Sequence, residues 1–232
     1  ATASMSVNAL PIATISANGP TTFCEGGSVT LTSSSGASYA WVGGDLNQSI
    51  TVSNSGSYYV QVTNALGCTV TSAITQVVVN PLPIVSSITG NTEVCIGATT
   101  QLTDATVGGA WSSSNTSVAT VDANGLVTSL AVGSTVITYT VNNASGCSSN
   151  VSTNLNVNAL PVASILANGA TTFCAGGSVT LVAATGSSYL WNNGQITQSI
   201  TVDTSGTFFT TITNAAGCTA NSNAITVTVN AL

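Results

Sequence analysis

The chain contains the same residue pattern three times. The motifs NALP at 8–11, NPLP at 80–83 and NALP at 158–161 mark the starts of three repeats. The segment TTFCEGGSVTL at 21–31 recurs as TTFCAGGSVTL at 171–181. Each repeat then carries one tryptophan and a second cysteine in the same order. A pattern copied at this length indicates a tandem array in which each copy forms the same structural unit.

The repeat starts predict the domain boundaries. Residues 1–7 are interpreted as the last strand of a preceding repeat, or as a strand that pairs in a neighbouring sheet. The three predicted domains follow at 8–80, 81–157 and 158–232, and the third ends with the start of a next repeat.

Within each repeat, apolar and polar residues alternate with a period of two. The clearest segments are SVTLTS, SYAWVG, QSITVS, SYYVQVT and AITQVVVN, which begin at residues 28, 38, 48, 57 and 73. Gly, Asn and Ser separate them, as is typical of strands joined by turns. The pattern predicts an all-β chain of small antiparallel sandwiches. We expect Trp41, Trp111 and Trp191 to lie in the three hydrophobic cores.

The charged composition excludes several classes of function. The chain has six acidic residues, no Lys, Arg or His, and a net charge of −6. Without bases nothing neutralises phosphate, so we expect no nucleic-acid partner, and without His the usual general base is missing. The six carboxylates are scattered and form no calcium loop, so we predict no enzyme, no cofactor and no metal site. The apolar runs are too short for membrane insertion.

Three longer segments resemble known domains. YAWVGGDLNQSITVSNSGSYYVQVTNALG (39–67) and its counterpart at 189–217 are similar to PKD-type and related bacterial Ig-like domains. WSSSNTSVATVDANGLVTSLAVGSTVITYTV (111–141) resembles the group 2 bacterial Ig-like repeat, with a tight turn at Asn124-Gly125. The resemblance implies three tandem Ig-like β-sandwich domains in a rod-like array, of the kind found in large bacterial surface adhesins, some exported by the type IX route.

Six cysteines occur as two per repeat, which is the count that one disulfide per domain requires. The pairs are separated by 44, 52 and 44 residues. We therefore predict the disulfides Cys24–Cys68, Cys95–Cys147 and Cys174–Cys218, and an oxidising compartment. No base is present to activate a nucleophilic cysteine, and two cysteines per domain without His are too few for zinc.

Other candidate contact residues are few. Tyr59 and Phe209 alternate with inward-facing residues, so we expect both to point outward as possible glycan contacts. Possible glycosylation sites are the sequons at Asn47, Asn115, Asn143 and Asn150.

These features favour a non-enzymatic structural segment of an extracellular bacterial adhesin or surface filament. The absence of Lys and Arg also leaves trypsin-like proteases no cleavage site. One alternative is a self-assembling fibre subunit, because the sheet edges lack the usual protective Lys. The other is a glycan-binding module. The expected partners are neighbouring repeats of the chain, homopolymer copies, and a surface glycan or host ligand.

Overall fold

The computed structural model describes Met5 and residues 7–232. These residues form β-strands joined by turns and contain no helix, so the predicted all-β, tandem Ig-like sandwich class is confirmed. The prediction for residues 1–7 falls mostly outside the described residues. Met5 and Val7 themselves are exposed and lie outside the strands.

The first and third repeats form equivalent strands. Those of the first repeat are β1 (Ile15–Ala17), β2 (Thr22–Cys24), β3 (Val29–Ser33), β4 (Ser38–Trp41), β5 (Ser49–Val52), β6 (Gly56–Tyr58), β7 (Val60–Thr63), β8 (Thr69–Thr71) and β9 (Thr75–Asn80). Those of the third are β18 (Ile165–Asn168), β19 (Thr172–Cys174), β20 (Val179–Ala183), β21 (Ser188–Trp191), β22 (Ser199–Val202), β23 (Gly206–Phe208), β24 (Thr210–Thr213), β25 (Thr219–Asn221) and β26 (Ile225–Asn230).

The second repeat has eight strands, and its last two are longer than any strand of the other repeats. The eight are β10 (Thr89–Gly90), β11 (Glu93–Cys95), β12 (Thr99–Thr103), β13 (Ala110–Ser113), β14 (Ala119–Val121), β15 (Leu126–Ser129), β16 (Gly133–Asn142) and β17 (Ser148–Asn158). Its two four-stranded sheets have the orders β10-β12-β15-β14 and β11-β17-β16-β13.

One predicted strand is divided in the structure. The segment SYYVQVT forms β6 and β7, which separate at Tyr59 because β6 pairs with β9 whereas β7 pairs with β4 and β8. The chain therefore changes sheets at this residue. The third repeat changes sheets at Phe209 in the same way.

Each repeat contains one parallel strand pair among otherwise antiparallel neighbours. The pairs are β2 with β9, β11 with β17, and β19 with β26. In each pair the short strand that ends in the first cysteine lies beside the last strand of the same repeat. This parallel pairing, which the sequence pattern did not indicate, carries the first cysteine to the point where its repeat ends.

The group 2 hairpin forms between β14 and β15. The N–H of Gly125 donates to the carbonyl of Asp122, and the N–H of Asp122 donates to the carbonyl of Leu126. Gly125 has a φ of 82°, whereas Asn124 does not enter the positive region. The tight turn is thus confirmed, but only its glycine needs the left-handed conformation.

Three hydrophobic clusters form the interior. One contains Leu31, Val60 and Trp41, another contains Leu102, Ile137 and Leu155, and the last contains Leu181, Ile212 and Trp191. By backbone contacts the chain divides into two compact units, residues 1–84 with 142–149, and residues 85–141 with 150–232. The boundaries of the three predicted domains stay a prediction.

Candidate functional site: the cysteine-bridged junctions

The first cysteine of each repeat lies beside the residue that ends the repeat. Cys24 is opposite Asn80, Cys95 is opposite Asn158 and Cys174 is opposite Asn230. The next N–H along the chain donates to the carbonyl of that asparagine in all three repeats, over 2.8, 2.9 and 2.8 Å. The three first cysteines therefore share one backbone environment at the end of the repeat.

The second cysteine of each repeat closes a turn that is hydrogen-bonded to the start of the same repeat. The turns are Asn-Ala-x-Gly-Cys at 64–68, 143–147 and 214–218. In each, the asparagine Oδ1 accepts the N–H groups two and four residues later, and the glycine has a φ close to 80°. The asparagine Nδ2 donates to a backbone carbonyl of the NALP or NPLP segment that starts the repeat, and we call this segment the junction. The acceptors are Ala9, Pro81 and Ala159.

Two disulfides join these positions across the junctions. Cys24 is bonded to Cys147, and Cys95 is bonded to Cys218. Both bonds have a Cα–Cα distance of 5.6 Å and a sequence separation of 123 residues. The rule is the same in both cases: the first cysteine of one repeat bonds the second cysteine of the next.

The predicted pairings Cys24–Cys68, Cys95–Cys147 and Cys174–Cys218 are therefore wrong. A disulfide needs Cα atoms within about 7 Å. The parallel strand holds the first cysteine at the end of its repeat, whereas the Asn-Ala-x-Gly-Cys turn holds the second at the start. The second cysteine of the following repeat grips the same junction that the first cysteine borders, so it is the partner within reach.

Cys68 and Cys174 are free thiols within the described residues. Cys68 is half-buried and Cys174 is exposed. The bonded counterparts are better covered: Cys147 and Cys218 are 0% and 1% exposed, and Cys24 and Cys95 are half-buried. Each free thiol is thus more accessible than the bonded cysteines at its position.

Glu93 adds a polar contact at the second junction. Its carboxylate accepts hydrogen bonds from Asn156 Nδ2 and Asn158 Nδ2, both at 2.7 Å. The Asn156 amide, followed by the Asn158 amide, lowers the pKa of Glu93 because both stabilise its charged form. The first and third repeats have Thr22 and Thr172 at this position, so this contact belongs to the second repeat alone.

The predicted core tryptophans lie against the three clusters. Trp41 and Trp191 are 3% and 1% exposed, and each donates its indole N–H to a backbone carbonyl at 2.8 Å, those of Asn47 and Thr197. Trp111 is half-buried and packs on Tyr139 with a ring-centroid distance of 4.6 Å.

A hollow of about 300 Å³ lies beside Trp111 and Tyr139. Asp104 contributes to its wall, and its Oδ1 accepts the N–H of Thr106 at 2.7 Å while its buried Oδ2 has no partner. In the sequence, Asp104 is one of six scattered acids. Its position beside two aromatic rings could not be read from spacing.

The two predicted glycan contacts, Tyr59 and Phe209, lie on the surface, and neither is next to a cysteine in the sequence. Tyr59 is 39% exposed and Phe209 is 40% exposed, each at the break between two strands. Of the sequon asparagines, Asn47, Asn115 and Asn150 are exposed. Asn143 instead belongs to the second turn, where its Nδ2, the atom that a glycan would need, donates to Pro81.

Across the described residues, no three acidic or cysteine side chains lie close enough together to hold a metal. Five of the six acids are exposed, and Asp104 is half-buried. The described part of the chain also has no helix with the length and apolarity that a membrane span needs.

Residues 73–152 match the family described as "Bacterial Ig-like domain (group 2)". Among solved structures, the chain is similar to a Ca²⁺-stabilized ice-binding adhesin of an Antarctic bacterium, with 16% identity, coverage of 97% and 75% of the two chains and a TM-score of 0.36. It is also similar to part of a 1.5-MDa bacterial ice-binding adhesin (17% identity, 95% and 98%, 0.31) and to extracellular domains 3–5 of Drosophila OTK (14%, 90% and 93%, 0.33).

The comparison with curated protein sequences found no similar protein. The match over residues 73–152 confirms the group 2 resemblance that the sequence predicts for the middle repeat. Residues 73–152 are therefore similar to group 2 bacterial Ig-like domains, within a chain of small β-sheets.

Proposed function

We propose that this chain is a non-enzymatic structural segment of an extracellular bacterial adhesin or surface filament, whose consecutive repeats are joined by disulfides at their junctions. The observation that carries the proposal is that both disulfides follow the same rule and have the same 123-residue separation. A bond that crosses a junction restrains two successive repeats with one crosslink. Such a bond suits a segment that must transmit tension.

The location follows from the chemistry of the chain. Disulfides persist in oxidising environments outside the cytosol, and four of the six cysteines are bonded. The absence of Lys and Arg removes every trypsin cleavage site. Both features support a segment exposed to an extracellular environment.

Immunogold electron microscopy of intact producing cells, and of thin sections through them, tests this proposal. An antibody raised against the purified chain should label stalks or filaments that extend from the cell surface. Labelling confined to the cytoplasm would contradict the proposal, and so would full reduction of Cys24 and Cys147 in protein trapped with a thiol-blocking reagent in the native state.

A self-assembling fibre subunit is the first alternative. The three-stranded sheets of the first and third repeats have edge strands that no Lys protects. Edge pairing would give filaments that survive reduction, whereas a single-chain stalk would give separate particles. Negative-stain imaging of purified chain at high concentration with reductant distinguishes the two.

Glycan binding is the second candidate, and two observations favour it. Tyr59 and Phe209 expose aromatic surface, and the hollow beside Trp111 is lined by Tyr139 and by Asp104. Aromatic faces combined with carboxylates are the groups that hold sugar rings and their hydroxyls. A glycan array with the Tyr59→Ala, Phe209→Ala and Asp104→Asn variants tests it, and equal binding by all variants and the parent would reject these residues as the site.

A further inference from the structure

Cys68 and Cys174 occupy the two positions that are bonded at the other junctions. Cys174 lies opposite Asn230 in a parallel pair, as Cys24 lies opposite Asn80. Cys68 closes an Asn-Ala-x-Gly-Cys turn, as Cys147 does. The chain therefore has one unbonded first cysteine, Cys174, and one unbonded second cysteine, Cys68.

The backbone around each free thiol already has the geometry seen in the bonded repeats. The N–H of Gly177 donates to the carbonyl of Cys174 at 3.0 Å, and that of Gly27 donates to Cys24 at the same distance. The N–H of Asn64 donates to the carbonyl of Cys68 at 3.0 Å, and the equivalent distance at Cys147 is 2.9 Å. Neither position has to refold in order to accept a partner.

The side chains at the Cys68 end are more exposed than their equivalents at the two bonded junctions. Cys68 is half-buried, whereas its bonded equivalents are fully buried. Leu10, in the junction that the Cys68 turn grips, is 68% exposed, and its equivalents Leu82 and Leu160 are 39% and 46% exposed. The additional exposed surface at this junction includes an apolar side chain as well as a thiol.

We propose that Cys174 and Cys68 are the two halves of a further junction disulfide, formed between Cys174 of one molecule and Cys68 of a second copy of this chain. The same rule applies as at the two observed junctions, so the link is head-to-tail. Repetition of the link gives a covalent polymer. The partner of Cys174 is a cysteine thiol that closes an Asn-Ala-x-Gly-Cys turn. A flanking repeat with the same turn would supply the same thiol.

The bond forms by thiol–disulfide exchange. One thiolate attacks a disulfide of the glutathione class and displaces a glutathione thiolate, giving a mixed disulfide. The second cysteine thiolate then displaces the other glutathione. The two protein thiols lose two protons and two electrons, and the oxidised glutathione becomes two thiols.

The inference goes beyond the proposed function and depends only on the observed junction disulfides. Its failure would leave the structural role of Cys24–Cys147 and Cys95–Cys218 unchanged. The two are separately measurable because Cys68 and Cys174 take no part in either bond.

The test uses the intact chain, its Cys68→Ser variant and its Cys174→Ser variant. Each is concentrated in a glutathione redox buffer, its thiols are blocked, and it is run on a non-reducing gel. The parent should give a ladder of oligomers that collapses on reduction. Each variant alone should stay monomeric, and their equimolar mixture should give a dimer and nothing larger, with Cys174 joined to Cys68 by peptide mass spectrometry.

A second arm distinguishes a second copy from a flanking repeat. Residues 11–80 are appended after Leu232, which restores an NALP junction and places a copy of Cys68 in the following repeat. If only this fusion forms the bond, and within one molecule, the second copy is overturned as the partner and a flanking repeat supplies it. Cys174 that stays blockable in both the mixture and the fusion would overturn the proposal. So would Cys68→Ser alone dimerising through Cys174 as readily as the mixture does.

Discussion

The two disulfides control how far the chain extends under force. They divide the chain between Cys24 and Cys218 into three covalent segments that run between the same two crosslinks: 24–95, 95–147 and 147–218. The middle segment is the shortest, at about 52 residue steps against about 71 for each of the others, each step spanning at most about 3.6 Å. Under full load the segment 95–147 becomes taut first and limits the extension of the other two.

The magnitude follows from the shortest covalent route. From Ala1 it runs to Cys24, across to Cys147, back to Cys95, across to Cys218 and on to Leu232, about 89 residue steps, or about 320 Å when fully stretched. The reduced chain has about 231 steps and reaches about 830 Å. Loss of Cys24 alone leaves a route of about 108 steps, which adds about 70 Å.

Single-molecule force spectroscopy with handles at the two termini measures these lengths. We expect a final contour length of about 320 Å for the oxidised parent, about 390 Å for Cys24→Ser and about 830 Å after reduction. The matched control is the double variant Cys68→Ser/Cys174→Ser, which retains both bonds and should match the parent. With disulfides inside each repeat, this control would lengthen by about 320 Å, and such a lengthening would show that the bonds do not cross the junctions.

Three further predictions concern local features. Gly125→Ala should lower the free energy of unfolding, measured with denaturant, by about 3 kcal/mol, because Gly125 has a φ of 82° and the added methyl group would meet the Leu102 carbonyl. The control Gly146→Ala has a similar φ but open space around it, so it should cost about 1 kcal/mol. Equal costs would contradict a steric clash at Gly125. Asn143→Ala should destabilise by about 1–3 kcal/mol through three lost hydrogen bonds and slow formation of Cys24–Cys147 in refolding, whereas exposed Asn150→Ala should do neither. Folding lowers the pKa of Glu93 below its ordinary value of 4.5. The Glu93 carboxylate therefore stabilises the fold fully above pH 4.5, and this stabilisation is lost as the pH falls through the folded pKa. The melting temperature should accordingly fall less between pH 6 and pH 3 for Glu93→Gln than for the parent.

Local pattern was enough to predict much of the fold. Alternation with a period of two identified β3, β4, β5 and β9, because each buries one face on a core. The same logic gave Trp41 and Trp191 their interior positions, and the Asn124-Gly125 signal gave the hairpin. These are features that residues close in sequence determine.

The cysteine pairing could not be predicted in that way. It depends on β2, β11 and β19, which have three residues each and show no alternation, and which pair in parallel with a strand more than fifty residues later. An even count of two cysteines per repeat fits bonds within repeats and bonds between repeats equally well. Only the contacts at Asn80 and Pro81 reveal which end of the repeat each cysteine occupies.

A proteolytic map of the unreduced monomer shows whether the disulfides cross the junctions. With free thiols blocked, cleavage on the amino side of Asp45, Asp104, Asp122 and Asp203 gives the peptides 1–44, 45–103, 104–121, 122–202 and 203–232. Bonds across the junctions give two separate linked pairs, 1–44 with 122–202 and 45–103 with 203–232, and Cys68 and Cys174 carry the blocking group. A link between 1–44 and 45–103 would instead show a bond within the first repeat.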